Sequence, residues 1–224
     1  MNCPKCFYLE QRLGIPRPSS VPLSLNNAVD QLLKTEFDSY RTKGEAHPFL
    51  KAYGIKDIVP YQHELMDIWR EAKTAGIEFI HPPTNFRVTG GVDDVWINGK
   101  GELVIADYKA TSKPNTEDIN IDAPWQIAYK RQMEVYQWLF KMNGFPVSNI
   151  GYFVYVNGKA DKEAFDGKLE FEPKLIPYEG NDAWIEPALM MAKDCLDALD
   201  LPQSDPECEC CGYYSNRMQA ENGK

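Results

Sequence analysis

Along the chain, apolar residues fall first at helical spacing, then at strand spacing, then at helical spacing again. Between Cys3 and Leu13, the residues Phe7, Tyr8 and Leu13 supply the apolar positions of a short helix, which Gly14 stops before a Pro-punctuated loop from Ile15 to Pro22. Ser24 is placed to cap a second helix, in which Leu25, Val29, Leu32, Leu33, Phe37 and Tyr40 recur at steps of three and four, the period of one buried face. After turn signals at Gly44, Pro48, Gly54 and Pro60, a third helix is predicted from about Tyr61 to Ala75. It buries Leu65, Ile68, Trp69 and Ala72 and ends at Gly76.

The period then shortens. Phe86–Ile97 and Glu102–Ala110 read as strands joined by Asn98-Gly99-Lys100-Gly101, a strong hairpin signal. A long helix follows from about Pro124 to Met142, stopped by Gly144, with strands near Ile150–Val156 and Leu169–Ile176. Asp182 or Asn181 is expected to cap a last helix reaching Leu199, and the tail from Pro202 reads as irregular. With no internal repeat and no long linker, the pattern predicts one α/β domain over residues 1–224 whose two ends are clipped together.

Composition narrows the class. At 224 residues, 43% hydrophobic and 25% charged, the chain is long and apolar enough for a single good-sized core. The longest apolar stretches, such as Tyr152–Val156 and Ala188–Ala192, fall far short of the roughly 18 residues of a spanning helix. The opening Met-Asn-Cys-Pro-Lys-Cys lacks the apolar segment of a secretory signal, so a cytoplasmic location is expected. A net charge of −9 is the wrong sign for coating nucleic acid, although a carboxylate-rich metal enzyme can be acidic overall and keep a local basic track.

Two places carry candidate chemistry. Whether the hairpin closes on two residues or three, Asp93 lies opposite Ala106 or Asp107. Strand alternation puts Asp107 and Lys109 on one face and Tyr108 on the other. Charges that follow directly on the apolar run Val104-Ile105-Ala106 need partners or a metal, and carboxylate oxygens suit Mg²⁺ or Mn²⁺. The second place is the cysteines. Cys3 and Cys6 open the chain and Cys208, Cys210 and Cys211 close it, with Cys195 between. In a reducing compartment such pairs suggest a metal or cluster site rather than disulfides.

The string Val88-Thr89-Gly90-Gly91-Val92-Asp93-Asp94-Val95, followed by Ala106-Asp107-Tyr108-Lys109, resembles the G-x-x-D … (D/E)-x-K core of the PD-(D/E)XK nuclease superfamily. Gln132 and Tyr136 match the Q-x-x-x-Y motif of its RecB-like subgroup, which includes the CRISPR spacer-acquisition nucleases and AddB-type helicase-nucleases. The resemblance implies a restriction-endonuclease-like fold, a central mixed sheet flanked by helices. It also implies a Mg²⁺- or Mn²⁺-dependent deoxyribonuclease, an exonuclease on single-stranded DNA ends, working alone or with protein partners in a DNA-processing complex. By the same likeness Asp93, Asp107 and the Tyr108 carbonyl are metal ligands, Lys109 assists attack on the phosphodiester, and Gln132 and Tyr136 support the site.

The early-helix histidine of many RecB-like members falls at Asp30, an aspartate that can itself ligate metal. Of the histidines, His47 and His63 are weaker candidates and His81 reads as a loop residue. Lys113, Lys130 and Arg131 are candidates for the basic track. Cys3-Pro4-Lys5-Cys6 and the closing Cys208 to Tyr213 resemble the iron–sulfur clasp of RecB-like nucleases, here formed by residues 1–14 and 202–217. Cys3, Cys6, Cys208 and Cys211 make a two-plus-two set for a [4Fe–4S] cluster or a structural Zn²⁺, with Cys210 and Cys195 as alternates for one ligand. Two other readings are a catalytically silent nucleic-acid-binding adaptor and a zinc-clasped enzyme acting on a small phosphorylated molecule.

Overall fold

The computed structural model describes residues 2–18 and 24–223, so the end of the expected Ile15–Pro22 loop lies outside the described residues. In chain order the elements are α1 (Pro4–Gln11), α2 (Ser24–Lys43), α3 (Pro48–Ala52), β1 (Val59–Pro60), α4 (Met66–Trp69), β2 (Ile77–His81), β3 (Phe86–Gly90), β4 (Asp94–Ile97) and β5 (Leu103–Thr111). They continue with α5 (Ile127–Met142), β6 (Ile150–Gly158), β7 (Phe171–Glu179), α6 (Ile185–Asp197) and α7 (Glu209–Asn222). The chain groups into two compact units, Leu23–His81 with Arg87–Asp182, and Met1–Pro22 with Pro82–Phe86 and Ala183–Lys224.

The larger unit is built on a mixed five-stranded sheet in the order β1-β4-β5-β6-β7. Its β4–β5 hairpin closes on three residues, in the register Ile97↔Leu103 and Asp94↔Ala106. Asn98 sets that register: its Oδ1 accepts the N–H groups of Lys100 (2.9 Å) and Glu102 (3.0 Å), and Gly101 takes the left-handed conformation (φ +80°) that the loop needs. Strand β5 pairs in parallel with β6, which requires a crossover, and α5 lies within that connection. Leu103–Ala106 are all buried, as a central strand covered on both faces demands.

Alternation along β5 divides its side chains. Val104, Ala106 and Tyr108 enter a core with Phe37 of α2, Leu50, Trp96 and Val154, where Phe37 stacks on Trp96 at 5.2 Å. Asp107 and Lys109 take the other face, toward α5.

Several elements differ from the sequence expectation. The helix over Tyr61–Ala75 shrinks to Met66–Trp69. The Trp69 carbonyl accepts from Val92 N–H (2.9 Å) instead of from a following helical turn, and Ile68 stays exposed. The strand over Phe86–Ile97 is interrupted at Gly91–Asp93, and its first half pairs with the unanticipated β2 in a separate two-stranded sheet. In α2 only Val29 and Phe37 of the apolar stripe are buried, while Leu25 and Leu32 face solvent and Arg41 is drawn inward. Asp182 and Asn181 do not cap α6: the Asp182 carboxylate pairs with Lys141 at 2.9 Å, Asn181 N–H donates to Glu134 (3.1 Å), and Trp184 takes the cap position.

The smaller unit contains α1, α6 and α7. Tyr8 of α1 donates to the Ala198 carbonyl (3.2 Å) at the end of α6, and Arg12 donates to that of Leu196. The tail is irregular as expected over residues 202–208, but from the cysteine motif onward it forms α7.

Candidate active site and cysteine centre

Asp93 stands just before β4, where two glycines shape the approach. A Cβ on Gly91 would lie 2.5 Å from the Ala72 Cα, and one on Gly90 would lie 2.6 Å from Cε1 of Tyr136, so both positions exist to let other groups come close. Arg70 then fixes the backbone, its Nε donating to the Asp93 carbonyl at 3.1 Å. The Asp93 carboxylate accepts the N–H of Tyr108 at 2.7 Å. The N–H and C=O of a strand residue point to the same edge, so the Tyr108 carbonyl is directed to the Asp93 side as well.

Around this point the structure brings together Asp30, Lys34, Asp93, Asp107, Lys109 and Gln132, which line one cleft of about 680 Å³. Lys109 forms an ion pair with Asp107 and lies 4.7 Å from the ring centroid of Tyr129. From α2, Lys34 donates to Asp30 at 2.8 Å and stands 3.8 Å from Asp93. From α5, Gln132 Nε2 donates to the hydroxyl of Tyr136 at 2.7 Å, and the Tyr136 ring is buried against Gly90. Exposed Trp125 meets Tyr129 edge-on at 5.7 Å.

The electrostatics call for a cation. Burial, then repulsion from Asp107, raises the Asp93 carboxyl to about 7 against the pull of Lys109 and Lys34. Asp107 is also raised, chiefly by burial, despite the Lys109 ammonium. Tyr136 is raised by burial and by the Asp107 charge, so it stays a neutral phenol. Asp107 Oδ2, buried and without a well-formed hydrogen bond, is held by the Lys109 ammonium as an ion pair. Two adjoining buried carboxylates and a carbonyl form a hard oxygen donor set, and Mg²⁺ or Mn²⁺ fits it.

Asp94, next in sequence, has the opposite surroundings. Fully buried, it accepts from Arg41, from Arg70 (2.9 Å), from Trp96 Nε1 (3.0 Å) and from the Tyr108 hydroxyl (2.8 Å), which makes it a structural anchor under the site. Sequence reasoning missed Lys34, Arg41 and Arg70. The step of four from Asp30 to Lys34 was a usable signal, whereas nothing local singles out the two arginines.

The remaining candidates stand apart from the cleft. His47 stacks on Phe37 (4.2 Å) and contacts Glu36, and His63 stacks on Trp69 (4.3 Å). His81, expected in a loop, ends β2 and is buried. Of the proposed basic track, Lys130 is 3.6 Å from Asp122, and Lys113 is exposed with its backbone N–H bonded to Asn157.

In the smaller unit the sulfurs of Cys3, Cys6, Cys208 and Cys211 all lie within 4.8 Å of one another. The Cys6 sulfur is 3.4 Å from that of Cys211 and 3.6 Å from that of Cys208, and Cys3 to Cys211 is 3.8 Å. Burial opposes the Cys3 thiolate, yet backbone donors from Cys6 and Asp205 and the neighbouring thiols bring it down to about 7. Cys6 is pushed up by burial and by the neighbouring thiols of Cys211, Cys208 and Cys3. These four can bind a metal. Cys210 is exposed, and the Cys195 thiol donates to the Pro4 carbonyl (3.6 Å).

Among known proteins, no curated sequence and no solved structure matches the chain. A family profile does match, over residues 23–215, which span every element of the larger unit, the carboxylate cleft and the closing cysteines. With a mixed sheet flanked by helices and acidic residues on both arms of its hairpin, the chain belongs to the PD-(D/E)XK nuclease superfamily.

Proposed function

We propose that the protein is a divalent-metal-dependent deoxyribonuclease of the RecB-like subgroup, acting as an exonuclease on single-stranded ends, with residues 1–224 working as one nuclease domain. The observation that carries the reading is the shared cleft of Asp93, Asp107 and Lys109, in which two raised carboxyls face the Lys109 ammonium, with Lys34 beside Asp93.

Asp93, Asp107 and the Tyr108 carbonyl would hold Mg²⁺ or Mn²⁺, with Asp30 at the margin of the set. When bound there, the ion supplies Lewis-acid polarisation of a phosphoryl oxygen and makes water a better nucleophile. Lys109 shares its ammonium between Asp107 and the cleft, where it can orient a water and offset negative charge developing on the phosphate. The Gln132–Tyr136 pair keeps the α5 wall polar without titrating near neutrality. Trp125, 60% exposed, offers a ring on which an unpaired base can stack, which favours a single strand. Six cysteines outside any disulfide suit a reducing compartment such as the cytoplasm. Among the described residues, no helix is long and apolar enough to cross a membrane.

The test uses single- and double-stranded DNA labelled at either end, with Mg²⁺ or Mn²⁺, for wild type, Asp107→Ala and Lys109→Ala. Metal-dependent shortening of the single strand from an end, lost in both variants, is expected. Equal cleavage in all three proteins would overturn the assignment and leave the adaptor reading.

A further inference from the structure

Four cysteine sulfurs can surround one ion or one cluster, and the two demand different spacings. Around a single tetrahedral ion with metal–sulfur bonds of about 2.3 Å, the sulfurs form a tetrahedron with edges of about 3.8 Å. In a [4Fe–4S] cube each cysteine sulfur binds a different iron corner, which pushes the sulfurs to roughly 6 Å from one another. In this protein the spacings of 3.4, 3.6 and 3.8 Å, within an envelope of 4.8 Å, match the first case and leave no room for the second. They are also well beyond the roughly 2.05 Å of a disulfide.

Local construction agrees with the spacing. Cys3 occupies the N-cap of α1 and Cys208 the N-cap of α7, and in each case the second cysteine comes three residues later in the first helical turn. The two halves repeat the same backbone bond, Phe7 N–H to the Cys3 carbonyl at 3.0 Å and Gly212 N–H to the Cys208 carbonyl at 2.8 Å. Two C-x-x-C knuckles on helix N-termini thus present thiolates where backbone N–H groups and helix dipoles favour negative charge. The Asp205 N–H adds a donor to Cys3 Sγ at 3.4 Å. Cys195 is committed to the Pro4 carbonyl and Cys210 is exposed outside the group, so neither is needed as a ligand.

We propose that Cys3, Cys6, Cys208 and Cys211 form a mononuclear tetrahedral zinc site in place of an iron–sulfur cluster. The site is structural: four thiolates fill the coordination sphere and leave no open position for a substrate. It ties the opening helix to the closing one. The assignment stands apart from the nuclease reading, because metal content is measured on the resting protein whether or not it cleaves DNA.

The experiment is elemental and sulfide analysis of full-length protein purified anaerobically, for wild type, Cys6→Ser, Cys208→Ser and Asp107→Ala. The expected result is one zinc per chain and no sulfide in colourless wild type, zinc retained in Asp107→Ala, and zinc lost or much reduced in the cysteine variants. Should those variants fail to fold, Co²⁺ exchanged into wild type decides the question, with the intense visible bands of a tetrahedral tetrathiolate expected. Iron with stoichiometric sulfide and a brown charge-transfer band would overturn the proposal. So would a single iron, cobalt bands of six-coordinate type, or zinc lost only in Asp107→Ala.

Discussion

Asp93 and Asp94 are adjacent in sequence, yet Asp93 opens on the cleft and Asp94 is buried among arginines, and asparagine at each position separates the metal-ligand role proposed for the first from the structural role of the second. Asp94 is fully buried among Arg41, Arg70, Trp96 and Tyr108. An amide there keeps the shape, turns N–H groups toward donors and strips countercharge from two arginines. Breaking a buried ion pair costs about 3–5 kcal/mol. Asp38, 2.8 Å from both Arg41 and Arg70, keeps part of the compensation, so the lower end applies. At about 2–4 °C per kcal/mol for a chain of this size, Asp94→Asn should lower the melting temperature by roughly 6–12 °C. Asp93 behaves in the opposite way. Its carboxyl, raised from 3.8 to about 7, is disfavoured when ionised by at most roughly 4 kcal/mol. Asparagine retains an acceptor for the Tyr108 N–H, so Asp93→Asn should melt at or above wild type at pH 8 without added metal while losing cleavage. Calorimetric melts of the three proteins, with cleavage assayed on the same preparations, decide the matter. The reasoning fails if Asp94→Asn melts within 2 °C of wild type, or if Asp93→Asn falls as far as Asp94→Asn.

The remaining predictions follow from the same geometry. Between 3.8 and about 7 the folded chain holds its Asp93 proton more tightly than the unfolded chain, so this group's contribution to stability is present at low pH and is lost as pH rises through that window. A divalent ion compensates only the ionised pair, so the rise in melting temperature produced by Mn²⁺ should be small at pH 5 and large at pH 8; equal rises would count against the site. Gly90→Ala places a Cβ 2.6 Å from Tyr136 and should destabilise by about 1–3 kcal/mol in denaturant titrations, with reduced cleavage. A wild-type-like midpoint and rate would show that Tyr136 is not held by that contact.

How far the sequence reveals this arrangement depends on the range of the forces involved. The hairpin is legible because its determinants are local: Asn98 and Gly101 make the turn, and alternation along 103–109 parts Asp107 and Lys109 from Tyr108. The pairing of Gln132 with Tyr136 is legible for the same reason, since one helical turn separates them. What fails is what distant partners decide. The 61–75 segment has helical periodicity, but Val92 captures the Trp69 carbonyl and Arg70 turns to Asp38 and Asp94. The tail after Pro202 conceals α7 because glycine and clustered cysteines resemble loop signals, whereas Cys208 serves as the helix cap. No local rule tells Asp93 from Asp94. That difference comes from two arginines, 53 and 24 residues before Asp94, converging beneath it.

The central claim is that one divalent ion is held jointly by the two arms of the hairpin. Crystals soaked in Mn²⁺ and measured at a wavelength where manganese scatters anomalously test it directly. The account predicts a difference peak about 2.0–2.3 Å from carboxylate oxygens of both Asp93 and Asp107, absent from Asp107→Asn crystals. A peak bound to only one of the two carboxylates, or one that survives that substitution, would contradict it.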